Sequence, residues 1–415
     1  MSTSPALATL PAAAGAARRH LLSLPDFRRL WTIGLVVFAV RWLEMLVVGV
    51  FVYQHTGSAF QVAMMTLLRM APMVLFGPVI GAVAERFERR NAQILVGLIL
   101  LLSAVAVAAL ACFDALEVWH LAVASFVNGI AWAADNPVRR VMIGEVVGAE
   151  RMGSAMAIDV GANNASRMLG PTVGGLMLAH IGIAGAFSVS VACYALALIA
   201  ALRLQHRNAM APAAKGSVLA HIIEGLLLAR RDPRLVAVLT VTIIYNVFGW
   251  PFTSMIPVIG QDSLHLAAGG IGLLASMDGI GAFIGAIAIA LWARPHHFNR
   301  LFIGAVMSYL VLVVGFALAP DMGSAGSALL LTGLANSGFS VMQATLIYLA
   351  APVEMRSRLY GVLSLCIGSG LVGFFHLGLM AELIGAPWAT VLSAGEGLLV
   401  LALTWPRWRM LLRRG

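Results

Sequence analysis

Residues 81–90 read GAVAERFERR. Five of the ten are charged (Glu85, Arg86, Glu88, Arg89 and Arg90), and they close an apolar run that reaches back to Met70. In a chain of which only 11% is charged, so dense a cluster marks the end of one long apolar segment and the start of the next.

The composition says what kind of segment these are. Sixty per cent of the 415 residues are apolar and the mean hydropathy is +0.92, whereas soluble domains are about 45–50% apolar and about 25% charged. A chain this apolar has too little polar surface to face water. Segments of about 20 apolar residues are what a helix needs to cross roughly 30 Å of hydrocarbon. The formal charge of +9 would suggest nucleic acid in a soluble protein, but its distribution here argues for a membrane surface. Residues 1–30 read as an N-terminal tail, because Arg18 and Arg19 follow the apolar part, the reverse of a signal peptide. Cys112, Cys193 and Cys366 lie in apolar runs and read as packing residues.

Hydropathy predicts twelve spans, near 31–53, 60–84, 92–112, 119–144, 153–178, 184–204, 235–259, 267–292, 299–319, 326–349, 359–384 and 387–406. With the N-terminus inside, 22 of the 27 Lys and Arg fall in cytoplasmic segments, and the other five (Arg41, Arg69, Arg139, Arg140, Arg167) fall within spans. The outer connections hold none, the asymmetry that orients membrane proteins. Both termini are therefore expected in the cytoplasm, with residues 407–415 a basic tail. The connection 205–234 is the long one, and Val218, Leu219, Ile222, Ile223, Leu226 and Leu227 recur within it at helical spacing, predicting a helix lying on the inner leaflet.

That connection divides the chain into bundles at 31–204 and 235–406. A shift of 204 residues aligns GPVIGAVAERFERR (77–90) with GAFIGAIAIALWAR (281–294), and the same shift pairs Gly129 with Gly333. Two parallel six-helix repeats are one known transporter architecture. The predicted class is an all-α integral membrane protein with twelve transmembrane helices in two six-helix pseudo-repeats.

With these features the chain resembles the major facilitator superfamily. The family's loop signature, Gly-x-x-x-Asp-Arg-x-Gly-Arg-Arg, is met by Gly81, Arg86, Arg89 and Arg90, with Glu85 for the aspartate and Glu88 for the second glycine. An antiporter-type signature in span 5 is met by Gly170, Pro171, Gly174 and Gly175. FRRLW (27–31), YQHTGSAF (53–60), NPVRR (136–140) and RMLGPTVGG (167–175) are similar to the bacterial branch that includes the enterobactin exporter. The resemblance implies a bacterial inner-membrane transporter that works as a monomer by alternating access, with the 81–90 cluster as a cytoplasmic latch. It also implies export of small organic molecules such as drugs, siderophores or metabolites in exchange for protons, without a cofactor. An importer or uniporter, or a non-transporting receptor or lipid-moving protein, is the alternative.

Charges inside spans are costly and mark function or internal pairing. The candidates for proton or substrate contact are Arg41, Glu44, Arg69, Asp135, Asp159, Arg167, Asp278 and His376. Arg41 and Glu44 stand three residues apart, on one helix face, and read as a pair. Asp278 has no arginine in its own span and reads as the freer proton carrier. Arg139, Arg140 and Asp159 read as structural partners. Lys215 is the only lysine, so no phosphate-cradling loop with its lysine is present. No metal or nucleophile spacing occurs either, and an enzyme is not expected. The partners expected are a small-molecule substrate, protons and lipid, with no nucleic acid.

Overall fold

The computed structural model describes residues 21–86, 88–206, 218–351 and 355–413. Among them there is no strand. The first half consists of α1 (Pro25–Thr56), α2 (Ala59–Arg86), α3 (Arg89–Cys112), α4 (Val118–Val147) and α5 (Ala149–Leu202). A short helix α6 (Val218–Arg231) leads into α7 (Pro233–Ile244), α8 (Ile256–Asp262), α9 (Ala268–Trp292), α10 (Phe298–Ala317), α11 (Met322–Ala350), α12 (Arg356–Gly368), α13 (Gly370–Ile384), α14 (Ala386–Leu403) and α15 (Trp405–Arg413).

Ten helical stretches among the described residues are long and apolar enough to cross a membrane. One of them is α5, whose 54 residues would reach roughly 80 Å as a straight helix. It turns back at Gly182, where φ is 66° and ψ −175°, a conformation that glycine adopts without strain. α5 therefore supplies spans five and six. A further pass is α4, 30 residues long, which carries Asp135, Arg139, Arg140 and Glu145. Together these helices make twelve passes.

The outer faces follow from the same periodicity. On α3, Val96, Leu100, Ala104 and Val107 are buried, whereas Leu95, Leu98, Leu102 and Val105 are exposed, a lipid-facing stripe at helical spacing. The first turn of α11 is fixed by Asp321, whose carboxylate accepts from the backbone N–H of Gly323 and Ser324. Those bonds, that to Ser324 first, hold its carboxyl below the ordinary range.

The paired glycines of the half-repeat do the same work in each half. A Cβ on Gly129 would overlap the carbonyl oxygen of Arg69, and one on Gly333 would overlap that of Asp278. In both halves a glycine of the fourth span lets the second span approach backbone to backbone.

Several boundaries differ from the sequence reading. Helix α1 starts at Pro25 rather than at 31, because Phe27 and Leu30 are fully buried and the Asp26 carboxylate accepts from the backbone N–H of Gln205 and His206. Of the tail expected over 1–30, residues 25–30 are helical and residues 1–20 lie outside the described residues. The expected tail at 407–415 is helical through Arg413, anchored by buried Trp408 and Leu411. Span seven is broken: Tyr245–Gly249 is a π-turn and Trp250–Met255 a 3-10 turn between α7 and α8. Pro251 has no N–H to continue the ladder, and the Phe248 carbonyl accepts from the Ser393 hydroxyl at 3.2 Å. Helix α6 forms as expected and leaves Ile223, Leu226 and Leu227 exposed. Its other side docks on α12, where Gly225 meets the Arg358 carbonyl and Glu224 pairs with Arg358.

Candidate central cavity

The broken seventh span faces α1, α2, α4, α5 and α9 across a cavity between the two halves. Arg41, Arg69, Arg167 and Asp278 line it, with Trp42, Trp132, Trp250, Met45 and Met70 as apolar walls. A concave, mostly apolar site with a few convergent polar groups is what a small-molecule site looks like.

Arg167 and Asp278 form an ion pair between α5 and α9, the first half and the second. The sequence motif around them explains why they meet. Pro171 lacks the N–H that would bond the Arg167 carbonyl four residues earlier, and Gly279 packs against that carbonyl with no side chain between. Thr172 continues the contact, its hydroxyl 2.7 Å from that of Ser276. Gly175 faces Ala268 and Gly272, while Gly170 and Gly174 face Trp42 and Leu43 of α1. The four motif residues thus seat α5 against two helices at once. With the Asn336 amide oriented to put its oxygen toward Arg167, that oxygen accepts from both guanidinium nitrogens at 2.7 and 2.8 Å, and its nitrogen donates to the Tyr245 hydroxyl at 2.8 Å. Asp278 Oδ2 takes the guanidinium and Oδ1 has no partner.

Gly175→Ala is expected to lower the melting temperature of the purified protein, because the new methyl would overlap the Ala268 carbonyl and lie 3.0 Å from Gly272 Cα; such overpacking costs about 1–3 kcal/mol. Gly153→Ala, at a glycine with nothing within 4 Å, serves as the control. Equal melting of both variants would show that the α5–α9 seam yields easily.

Glu44 does not pair with Arg41. It is buried between α1, α2, α4 and α5, and its Oε2 lies 3.6 Å from Arg69, 3.2 Å from Asn128 Nδ2 and 3.4 Å from the Tyr194 hydroxyl. Arg41 instead lies over Trp132, 3.8 Å from the ring centroid, with Trp42 at 5.2 Å. Asp278 likewise is not the free carboxylate expected from its own span, since its arginine comes from α5.

Asp135 and Asp159 are not in the cavity. Arg139, fully buried, pairs with both, and Arg140 reaches Asp159 at 3.6 Å. Gln93 donates to Asp135 at 2.6 Å, and Gly34 of α1 lies directly against the Arg139 guanidinium. This cluster fastens four spans together within the first half. His376 bonds to Glu396 at 2.8 Å, half-exposed on α13 and α14 and away from the cavity lining. Glu396, Asn336, Trp132 and Tyr194 are partners absent from the sequence candidates. Glu396 was visible as an acid within span twelve. The other three carry no charge that would mark them.

In the 81–90 cluster, Arg89 pairs with Glu145 of α4, and Arg90 donates to the carbonyls of Leu202 and Leu204 at 2.8 Å. The side chains of Gly81, Glu85 and Arg86 lie outside the described residues. Of the polar and aromatic residues near span seven, Trp250 lines the cavity, Phe252 and Phe374 are fully buried and Phe375 is exposed.

The sequence pattern of the Major Facilitator Superfamily matches residues 30–375. The multidrug efflux pump Tap of Mycolicibacterium fortuitum is 26% identical over 378 residues, covering 89% of this chain and 90% of Tap. Macrolide efflux protein A of Streptococcus pyogenes is 22% identical over 243 residues, covering 58% of this chain and 60% of that protein. The crystal structure of a bacterial homologue of the human lysosomal transporter Spinster, inward-facing and unoccupied, is similar with a TM-score of 0.73 at 14% identity, covering 94% of this chain and 97% of that one. The fold, the cavity between the halves and a family pattern over most of the length agree: this multi-pass membrane protein belongs to the Major Facilitator Superfamily of small-molecule transporters.

Proposed function

We propose that the chain is a proton-coupled exporter of small organic molecules in a bacterial inner membrane, both termini cytoplasmic, working by alternating access. The moving bodies are residues 31–204 and 235–406, joined by the 205–234 connection. The observation that carries this reading is the Arg167–Asp278 pair, which bridges the halves inside the cavity. A proton on the unpartnered Oδ1 of Asp278 neutralises the carboxylate and releases Arg167, so proton binding and relative motion of the halves become one event. Glu44 is placed differently: three neighbours hold one of its oxygens, and it stands behind Arg69 rather than in the lining.

The far end of the bundle from the start of α1 supports a state closed on one side. There Tyr53 donates to Asp262, Ser58 donates to Glu382 at 2.9 Å, and Gly49 meets Pro257, each a contact between the first half and the second. On the other side the latch is the cluster Gly81, Glu85, Arg86, Arg89 and Arg90, in which Arg89 pairs with Glu145 and Arg90 donates to the carbonyls of Leu202 and Leu204. Export is the direction supported by likeness to Tap and to macrolide efflux protein A, both efflux proteins by name. In proteoliposomes loaded with a panel of antibiotics, siderophores and metabolites, an imposed pH gradient is expected to accelerate release of at least one compound. A panel indifferent to the gradient would remove proton coupling.

A further inference from the structure

The charges around the cavity do not cancel. Three guanidinium groups (Arg41, Arg69, Arg167) and one carboxylate (Asp278) line it. Arg167 is neutralised by Asp278, and Arg69 by Glu44 behind it. Asp135, the acid on the neighbouring α4, is committed to Arg139 and Gln93. Arg41 is left over: among the described residues no carboxylate lies within ion-pair distance of it and no acceptor takes its N–H groups. A cation in a membrane span ordinarily pairs with another group or with a backbone carbonyl. Arg41 has an aromatic platform instead, Trp132 at 3.8 Å and Trp42 at 5.2 Å. A cation held over rings keeps its N–H donors, a fork that matches a carboxylate or phosphate in bidentate fashion. The same cavity is also lined by Met70, Trp250 and Pro257, apolar surface suited to a flat hydrocarbon body.

We infer that the substrate is an amphipathic organic anion whose acidic head supplies the missing counter-ion of Arg41 while its apolar body lies against Met70 and Trp250. This rests on reading the central cavity as the substrate site. The selectivity follows from charge. A cationic compound would bring a second positive charge to a guanidinium that already lacks a partner, and a neutral one would leave Arg41 uncompensated. The anion removes that cost on binding.

The test uses the full chain in lipid nanodiscs and three probes with one naphthalene body: 1-naphthaleneacetate, 2-(1-naphthyl)ethanol and 2-(1-naphthyl)ethylamine. Calorimetry is expected to give the anion a Kd about tenfold or more below those of the other two, a difference of about 1.4 kcal/mol. Arg41→Gln is expected to bring the three values together, and Arg41→Lys to keep most of the preference. Without ligand, Arg41→Gln is expected to melt no lower than the native protein, since it removes an uncompensated charge. Equal affinities, a preference for the amine, no anion binding up to about 10 mM, or an unchanged preference in Arg41→Gln would each overturn the inference. So would an Arg41→Gln protein that misfolds or melts well below native, because Arg41 would then be a structural pillar. Anion-selective binding without flux under a pH gradient would sink the proton-coupled reading and leave this one standing. Gradient-driven flux without anion preference would do the reverse.

Discussion

Asp278→Asn is expected to reduce proton-driven transport by about 100-fold or more, the scale of losing a positioned group that carries a proton. The asparagine keeps the shape of the side chain and removes its ability to take and release a proton. Arg167 retains the Asn336 carbonyl, which accepts from both of its nitrogens, so the protein is expected to remain abundant. The diagnostic readout is counterflow, the exchange of substrate for substrate across the membrane with no net proton movement. It is expected to persist in Asp278→Asn, whereas Asp278→Glu is expected to retain some coupled transport. Loss of counterflow together with coupled transport would mean that Asp278 holds the halves in register and carries no proton. Undiminished coupled transport would move the proton to another carboxylate, with Glu44 the first to examine.

Arg139→Met is expected to be the most damaging single change to stability, costing about 3–5 kcal/mol, the price of leaving buried charge unpaired. Arg139 is fully buried and answers two carboxylates, Asp135 from one turn earlier on α4 and Asp159 on α5. Removing it leaves both acids in apolar surroundings, since Arg140 reaches only Asp159, at 3.6 Å and from an exposed position. Reversible unfolding in mixed micelles would measure the loss. The triple variant Arg139→Met, Asp135→Asn, Asp159→Asn is expected to recover part of it, because the charges then leave together. A loss below about 1 kcal/mol would place the cluster among weakly coupled pairs of the exposed kind.

The architecture was legible in the sequence to the extent that it depends on hydropathy and on the sign of charge. Twelve passes, the bend between the fifth and sixth, and the glycine repeat at 129 and 333 all follow from patterns local to one helix or fixed by one offset. The partners of the buried charges were not legible. Helical periodicity places Arg41 and Glu44 on one face but does not say which helix lies opposite each. Trp132 takes one and Arg69 the other. Asp278 looked unaccompanied for the same reason, since Arg167 reaches it only through the close approach that Pro171 and Gly279 permit. The break at 245–255 was obscured because Pro251 sits in a stretch still apolar enough to read as one continuous span.

The glycine contacts at positions 129 and 333 have a bearing on how such a cavity changes over time. Each pins the main chain at the root of a charged residue, Arg69 in one half and Asp278 in the other, so the scaffold meets those residues through their carbonyls and is indifferent to what they project. The contents of the lining can then be rewritten one side chain at a time while the walls stay where they are. A descendant with a different cargo needs new residues at positions such as 41, 69 or 278 and no new packing.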